Sequence, residues 1–519
     1  MSLVAIAAVL STMHFEGDVS PAGGDYVDVG FPVPAGTVEI QISHTDGSPD
    51  VILDWGVWGP DGFRGWGGGL TDDVVIGVDQ SSRSYLPGPI KEGTWTVVIG
   101  KAKIDPTTGG HYSIDVTCRD NATLPVLVKA SYAPVVISTE RRWYKGDFHV
   151  HSIQSGDAAA TFDQISTLAK SRGLDFVNVS DHNTTSQHDL LAAIQASTTD
   201  FLFLRGAEIT TYSGHGNAVG LHDYVDHRLG YAGRTMQNIV DDVAAQGALF
   251  IVNHPKLDLG NVCIGCDWKH LDDTPWDKVA GIEVITGNWE IGIQAFVPRV
   301  LAMWDDLLNQ GYKIAAIGGS DDHTAGMSHG QTDSQIGSPT TLVLSDGLSE
   351  AAIMDAIRAG RTIVQLRGPD DPFVEMTVKK KDGSIAEIGD EVYVDHLDMT
   401  IHVVGGNGTF VQVWFDGKKA TQIPVTSDDF TTKYGPAAAA TRGVTAAPAP
   451  NRYRLELVTD ANQRIVVTSH IIVHEPGGPD VAGCGCRSGG DRGGFLLVLV
   501  AFALSAHRAQ RRQRATEQR

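Results

Sequence analysis

The stretch Phe176-Val-Asn-Val-Ser-Asp-His-Asn183 is an apolar run of strand length that stops on a serine and gives way at once to an acid and an imidazole. Related arrangements recur along the chain: Phe148-His-Val-His-Ser152, Gly206-Ala-Glu208, Gly214-His-Gly216, Asn253-His-Pro255 and Ser320-Asp-Asp-His323. Six of the nineteen histidines fall in these clusters, and each cluster is expected just beyond a strand. Neutral imidazole and carboxylate hold zinc, manganese or iron while leaving a position open for water. The set therefore predicts a multinuclear metal site.

Around these clusters, from about Trp143 to Leu366, short apolar runs alternate with amphipathic segments. Phe176-Val-Asn-Val179, Phe201-Leu-Phe-Leu204, Ala248-Leu-Phe-Ile-Val252, Gly281-Ile-Glu-Val-Ile285 and Lys313-Ile-Ala-Ala-Ile317 read as buried parallel strands. Helical spacing covers Phe162 to Arg172, Thr235 to Gln246 and Phe296 to Asn309, with Gly173 and Gly311 as stop signals. Repeated β-α units mean an α/β barrel or a doubly wound sheet, and either one gathers function at the carboxyl ends of its strands. His149 and His151, at i and i+2 of an extended segment, point to the same side. A lone histidine such as His222 or His270 is better read as a hydrogen-bonded structural residue. Asp181-His182 or Asp321-Asp322-His323 alone could be a capped turn. Six clusters in one segment, with none in the flanks, favour metal.

The flanks have another rhythm. Thr37 to Ile42, Asp50 to Asp54, Thr94 to Ile99 and Tyr112 to Thr117 alternate with Gly, Pro and Asp turns, which predicts an accessory antiparallel sandwich over 17–135. Trp55, Trp58 and Trp66 fit either a carbohydrate platform or loop packing, and packing is the commoner role of such aromatics. Met399 to Val404, Phe410 to Trp414 and Arg464 to Thr468 predict a second sandwich over 371–478, with Ala437 to Pro450 as a mobile loop within it. The segment 140–370 between them carries the clusters. A chain of 519 residues matches about three domains. Forty basic against 62 acidic residues, a net charge of −22, argues against nucleic acid as a partner, because phosphate backbones need clustered Lys and Arg.

The five cysteines make no disulfide framework. Cys263-Ile-Gly-Cys266 is either a zinc or redox motif or a loop staple, and the absence of a second Cys or His pair at zinc-finger spacing favours the staple or free thiols. The apolar run Val4 to Leu10, within 1–16, is either a truncated signal segment or the first strand, since it lacks a basic leader. At the other end, over 483–519, Gly483-Cys-Gly-Cys486 precedes a Gly-rich spacer, the apolar run Phe495 to Ala506 and an Arg cluster. That order resembles the C-terminal sorting tails of myxobacterial surface proteins. The resemblance implies an exported, surface-held protein with transient membrane association through this tail.

The order HxH, DH, Glu, His, His-Pro and DxH resembles the polymerase-and-histidinol-phosphatase (PHP) superfamily of metal-dependent hydrolases. Gly206-Ala-Glu-Ile-Thr-Thr211, with Gly214-His-Gly-Asn217 soon after, is most similar to its CehA/McbA-type branch. The resemblance runs from about Tyr144 to Arg367. It implies a distorted seven-stranded β/α barrel, here flanked by β-sandwiches, holding two or three divalent ions (Zn, Mn or Fe). His149, His151, Glu208 and Asp321 would hold the first ion, with Glu208 bridging to a second on His215 and His254. His182, His323 and Asp157 would take a third. Asp181 would orient a ligand or bind water, and Asp322 would face away or support the site from outside.

Asp321, Glu208 and His182 are thereby the expected catalytic residues, acting on water ionised at the metals. The expected substrate is a small-molecule phosphoester. A carbamate or carboxylic ester is the alternative, and a surface-binding protein with a relic barrel is a third reading. Lys256, Trp289 and Asn183 are the candidates for substrate contact. Arg205, placed inside a strand, is better read as a salt-bridge partner, and Arg234 is a further cation near the motifs.

Overall fold

The chain has a mixed α/β fold with many antiparallel strand pairs and few helices. The structure, a computed structural model, describes residues 8–47, 50–127, 129–287, 289, 292–327, 334–435 and 451–474. The 437–450 loop and the 483–519 tail, with Cys484 and Cys486, lie outside the described residues. Among the described residues no helix is long and apolar enough to cross a membrane.

Seven strands lie side by side in chain order: Arg142–Val150, Phe176–Val179, Leu202–Thr211, Gly214–Val219, Leu249–Val252, Val279–Thr286 and Ala315–Gly319. The first three are mutually parallel, as are the last three. Gly214–Val219 runs antiparallel to both its neighbours, which departs from the all-parallel expectation. Sequence pattern hides this strand because Gly-His-Gly-Asn carries little strand propensity. The glycines are there for space. A Cβ on Gly216 would stand 2.3 Å from the Phe250 ring, and one on Gly214 would stand 2.7 Å from Trp268.

Because the strands are longer than their apolar runs, the site clusters are not all beyond strand ends. His149 lies inside the first strand, Glu208 inside the third and His215 inside the fourth. The helices Phe162–Ser171 and Met236–Ala245 begin at Thr161 and Thr235, whose hydroxyls accept the Gln164 and Asn238 amides in capping boxes. With Val297–Asn309 they bury the apolar faces read from their spacing. Gln187–Ser197 and Glu350–Arg358 are two further helices.

The end of the seventh strand returns to the first. The Asp321 amide donates to the His149 carbonyl at 2.7 Å and the His151 amide to the Asp322 carbonyl at 2.9 Å. Buried Asp147 ties the same ends together, accepting from the amides of His149, Ser320 and Gly337 at 3.1, 2.9 and 2.7 Å. The approach is close enough to require Gly319, where a Cβ would fall 2.3 Å from His149 Cβ.

The N-terminal region is a sandwich of two four-stranded antiparallel sheets sharing one core. Its first strand is Val9–Val19, paired with Gly110–Arg119, so 9–16 of the segment set apart at the N-terminus belong to the sandwich. Trp55 and Trp66 are buried, and Trp55 stacks on His44 at 4.3 Å. The sandwich is docked against the seven-stranded sheet. Phe63 stacks on Tyr224 at 3.4 Å, Trp66 meets His227 edge-on at 4.5 Å, and Arg228 lies over Trp58 at 4.0 Å. These tryptophans therefore pack rather than form an open platform.

The C-terminal region departs from a free-standing sandwich. Its Phe373–Lys379 sheet is separate, but the facing sheet is continuous with the central one: Thr340–Ser345 pairs with Arg142–Val150 and with Thr362–Gln365, which pairs with Arg464–Thr468.

A Gly319→Ala variant should be destabilised by about 1–3 kcal/mol through overpacking against His149, measured by chemical denaturation. Gly311→Ala, at an open turn with a positive φ, should lose about 1 kcal/mol without disturbing the first strand.

Candidate metal centre

Glu208 is the hub. Its buried carboxylate lies 3.2 Å from His149 Nε2, 3.5 Å from His151 Nε2, 3.0 Å from His182 Nδ1, 3.3 Å from His215 Nδ1 and 3.4 Å from His254 Nε2. Asp321 Oδ1 approaches His149 Nε2 at 3.2 Å and His151 Nε2 at 3.1 Å. Asp157 Oδ2 stands 3.3 Å from both His182 Nε2 and His323 Nε2. The structure thus draws together His149, His151, Asp157, His182, Glu208, His215, His254, Asp321 and His323, residues spread over six segments.

Among the described residues, donor atoms converge in five sets, of which three gather the predicted ligands: His149, His151, Glu208 and Asp321; Glu208, His215 and His254; and His151, His182 and His323. The others are His149, His254 and Glu283, and His215 with the disulfide-bonded Cys263 and Cys266. His151 belongs to two sets. The fit to metal is tested by what the protein leaves unpaired. His149 Nε2, His151 Nδ1 and Glu208 Oε2 are buried and lack a hydrogen-bond partner. Orphaned polar atoms cost about 1–3 kcal/mol each, and His149 Nε2 and Glu208 Oε2, 3.2 Å apart, leave a gap in the bonding that a cation satisfies.

The far side of several imidazoles is already committed, which fixes tautomers. His254 Nδ1 meets the Cys266 carbonyl at 3.1 Å and His215 Nε2 meets the Ile264 carbonyl at 3.0 Å. Each ring nitrogen facing a carbonyl carries the proton, so His254 Nε2 and His215 Nδ1 turn lone pairs toward Glu208. The carbonyls come from the loop closed by the Cys263–Cys266 disulfide, the staple preferred on sequence. His149 Nδ1 is held by Glu283 at 2.9 Å, and Glu283 also accepts the His254 amide at 3.0 Å. Asn253 donates to Glu208 at 2.9 Å. Backbone strain marks the same place, since His254 and Asp321 take positive φ values of 29° and 58°.

Electrostatics follow from this packing. Burial alone would lower the His149 pKa, but Asp321, Glu208 and Glu283 outweigh it and hold the imidazole well above its ordinary value. His182 is raised in the same way, with Asp157 and Glu208 overcoming burial. Burial, then the neighbouring His323 and His182, push His151 down to about 3 and keep one ring nitrogen unprotonated. Burial opposes the charge on Glu208, yet His149 and His182 hold it well below the usual carboxylate range. Protons on imidazole thus occupy the role that metal ions would take over.

Glu283 and Asp147 were not singled out from sequence. Glu283 did leave a signal, a charged residue inside the apolar run Gly281-Ile-Glu-Val-Ile285. Asp181 accepts the Ser152 amide and hydroxyl at 2.5 and 2.6 Å, holding the turn after His151. Asp322 faces away and caps the amides of Thr324 and Ala325.

The substrate candidates fare differently. Asn183 lines the cleft, but its amide is consumed by the Thr210 backbone, donating at 2.9 Å and accepting at 2.8 Å. Lys256 is half-buried and does not line the cavity, although His254 and Leu257 on either side of it do. Trp289 packs on the hydrophobic core beside the Val279–Thr286 strand rather than facing the cleft. Arg205 pairs with Glu350, and Arg234 with Asp242.

The centre opens into a cavity of about 770 Å³. One wall comes from the N-terminal sandwich, including Asp54, Trp66 and Leu70, so this region is part of the site and not a mere accessory. Tyr212 donates to Asp54 at 2.8 Å, the Ser84 hydroxyl to the Gln154 carbonyl at 2.7 Å, and Thr184 to the Ser84 carbonyl at 3.1 Å.

No protein-family model and no curated protein matches the chain. Among solved structures it is similar to a two-domain protein containing a predicted PHP-like metal-dependent phosphoesterase from Bacteroides vulgatus ATCC 8482. Identity is 17%, over 67% of this chain and 100% of that one, with a TM-score of 0.36. It is also similar to a candidate metal-dependent phosphoesterase from Bifidobacterium adolescentis ATCC 15703, at 16% identity over 36% of this chain and 92% of that one, with a TM-score of 0.26. Both likenesses are loose.

Glu283→Gln should keep the fold, checked by circular dichroism, and weaken metal affinity about 10–100-fold in competition with a chromophoric chelator. Unchanged affinity would remove Glu283 from the support of His149.

Proposed function

We propose that the chain is a metal-dependent hydrolase acting on a phosphoester, with two or three divalent ions (Zn, Mn or Fe) seated at the mouth of a distorted seven-stranded β/α barrel. The observation that carries this reading is the sharing of Glu208 between two donor sets, one completed by His149, His151 and Asp321 and the other by His215 and His254. In this reading His149, His151, Glu208 and Asp321 hold one ion and Glu208, His215 and His254 a second. His182, His323 and Asp157 take a third. Ions so held supply Lewis acidity to a substrate oxygen and bring the ionisation of water near neutral pH.

The protein's own groups do the rest. Asp321 is partly open to the cleft, so its carboxylate is placed to accept a proton from the attacking water and deliver it to the leaving oxygen. His182, held by Thr210 at 2.7 Å, orients the opposite side of the site. Glu208 stays ionised among its imidazoles and fixes the spacing of the donor sets. A phosphoryl group offers several oxygens to such a centre, whereas a planar carbonyl offers one, and this favours phosphorus over a carbamate or carboxylic ester. The complete donor set counts against a relic barrel serving a surface-binding protein.

Protein purified without chelator should carry at least one equivalent of Zn, Mn or Fe and hydrolyse bis(p-nitrophenyl) phosphate or p-nitrophenyl phosphate. Chelation should abolish turnover and a divalent ion restore it. Turnover of 1-naphthyl N-methylcarbamate should be slower, and the reverse order would move the assignment to carbamate esters. His151→Ala should lose about 100-fold or more of activity while unfolding cooperatively.

We further propose that the protein is exported and held at the cell surface through the 483–519 tail. Fractionation of cells expressing the chain with and without that segment tests this, and an unchanged distribution would refute it.

A further inference from the structure

The cleft above the donor sets is chemically lopsided. Its floor is imidazole and carboxylate, while its walls are apolar on two sides. Ile52, Trp66 and Leu70 come from the N-terminal sandwich, and Leu259, Val262 and Ile293 from the segments that follow His254 and Thr286. Leu259 and Val262 are 37% and 82% exposed, apolar side chains held in solvent beside a cavity. Single exposed apolar residues are ordinary, but here they line the same ligand-sized cavity as the apolar residues of the sandwich. Gly67, Gly68 and Gly69 line the cavity beside Leu70 and leave room between the walls.

The missing chemistry is equally telling. Among the described residues lining the cavity there is no lysine and no arginine. Recognition of a phosphate away from a metal normally uses a guanidinium fork or an ammonium. The charged side chain that the sandwich contributes is instead an acid, Asp54, which faces into the cavity and accepts from Tyr212. The rest of the lining away from the donor sets is hydrocarbon or neutral hydroxyl, amide and imidazole, such as Thr71, Tyr212 and Ser334, so a second anionic group on a bound ligand would find no cation there.

We propose that the cleft takes a phosphoester bearing one apolar organic arm and no second anionic group, with the arm lying between Leu70 and the Leu259–Val262 rim. This rests on the hydrolase reading above and narrows its substrate class. The same charge pattern disfavours nucleoside polyphosphates and bisphosphorylated compounds. The N-terminal sandwich is then the specificity wall of the enzyme, and the barrel supplies the reactive centre.

The test is calorimetric titration of the full, metal-loaded chain with phosphonates that are not turned over. Phenylphosphonate should bind about 10-fold or more tighter than methylphosphonate, the gain expected from burying one aromatic ring. 3-Phosphonopropanoate should bind no tighter than methylphosphonate. Leu70→Asp, at a half-buried position, and Val262→Asp, at one open to solvent, should bring the phenyl-to-methyl ratio toward one while bound metal, read by atomic absorption, is unchanged. Equal binding of the two phosphonates to the native chain would overturn the apolar-arm subsite, and so would a ratio that survives both substitutions. Chelator-sensitive phosphoester turnover accompanying either result would leave the hydrolase reading standing. Failure of the loaded chain to bind any phosphonate, with turnover of 1-naphthyl N-methylcarbamate, would overturn the phosphoryl assignment itself.

Discussion

One buried carboxylate surrounded by five imidazoles is the constraint that the rest of the structure serves. Glu208 cannot be ionised in an apolar interior without positive partners, and its contacts come from four other segments of the chain. Its place in the middle of a strand fixes its direction, and the antiparallel neighbour Gly214–Val219 brings His215 alongside. The first strand supplies His149, and the turn after it His151. A left-handed backbone at His254 completes the ring. Each of these elements is shaped by a local device, whether a glycine where rings approach, a carbonyl that selects a tautomer, or Asp147 joining the first strand to the last.

Those devices divide into ones that sequence announces and ones it does not. Acid-imidazole clusters after apolar runs were legible because His and Asp seldom occur in such places without a reason. The helices read from Phe162, Thr235 and Phe296 follow the spacing and the stop signals seen in the chain. Gly214–Val219 was not legible as a strand, because its glycines answer to Phe250 and Trp268, which are close only in three dimensions. Glu283 was concealed by the apolar residues around it. Lys256 and Trp289 looked suitable by type and proximity, but where a side chain points is set by the turn it sits on.

The flanking regions show a further limit of pattern. Alternation correctly marks strands, yet it does not say which sheet they join. Arg464–Thr468 alternates like any sandwich strand, but pairs with Thr362–Gln365 and so extends the central sheet. The N-terminal sandwich carries no cluster of reactive residue types, which made it seem peripheral. Its contribution lies in hydrocarbon and shape, since Trp66 and Leu70 reach a cavity whose floor belongs to other segments.

This division of labour explains why motif and substrate are read from different places. The donor residues answer to the demands of cations, which hardly vary between substrates, so they identify a chemistry and stay silent about its target. The wall answers to the organic portion of the ligand, where burial of apolar area discriminates and a single methylene already counts. Tyr212 bonds Asp54 while following closely on Glu208 in the same polypeptide stretch, so the wall is anchored to the strand that carries the hub. A shift of the sandwich would therefore be felt at Glu208, and a change at the metal centre would be felt by whatever lies against Leu70.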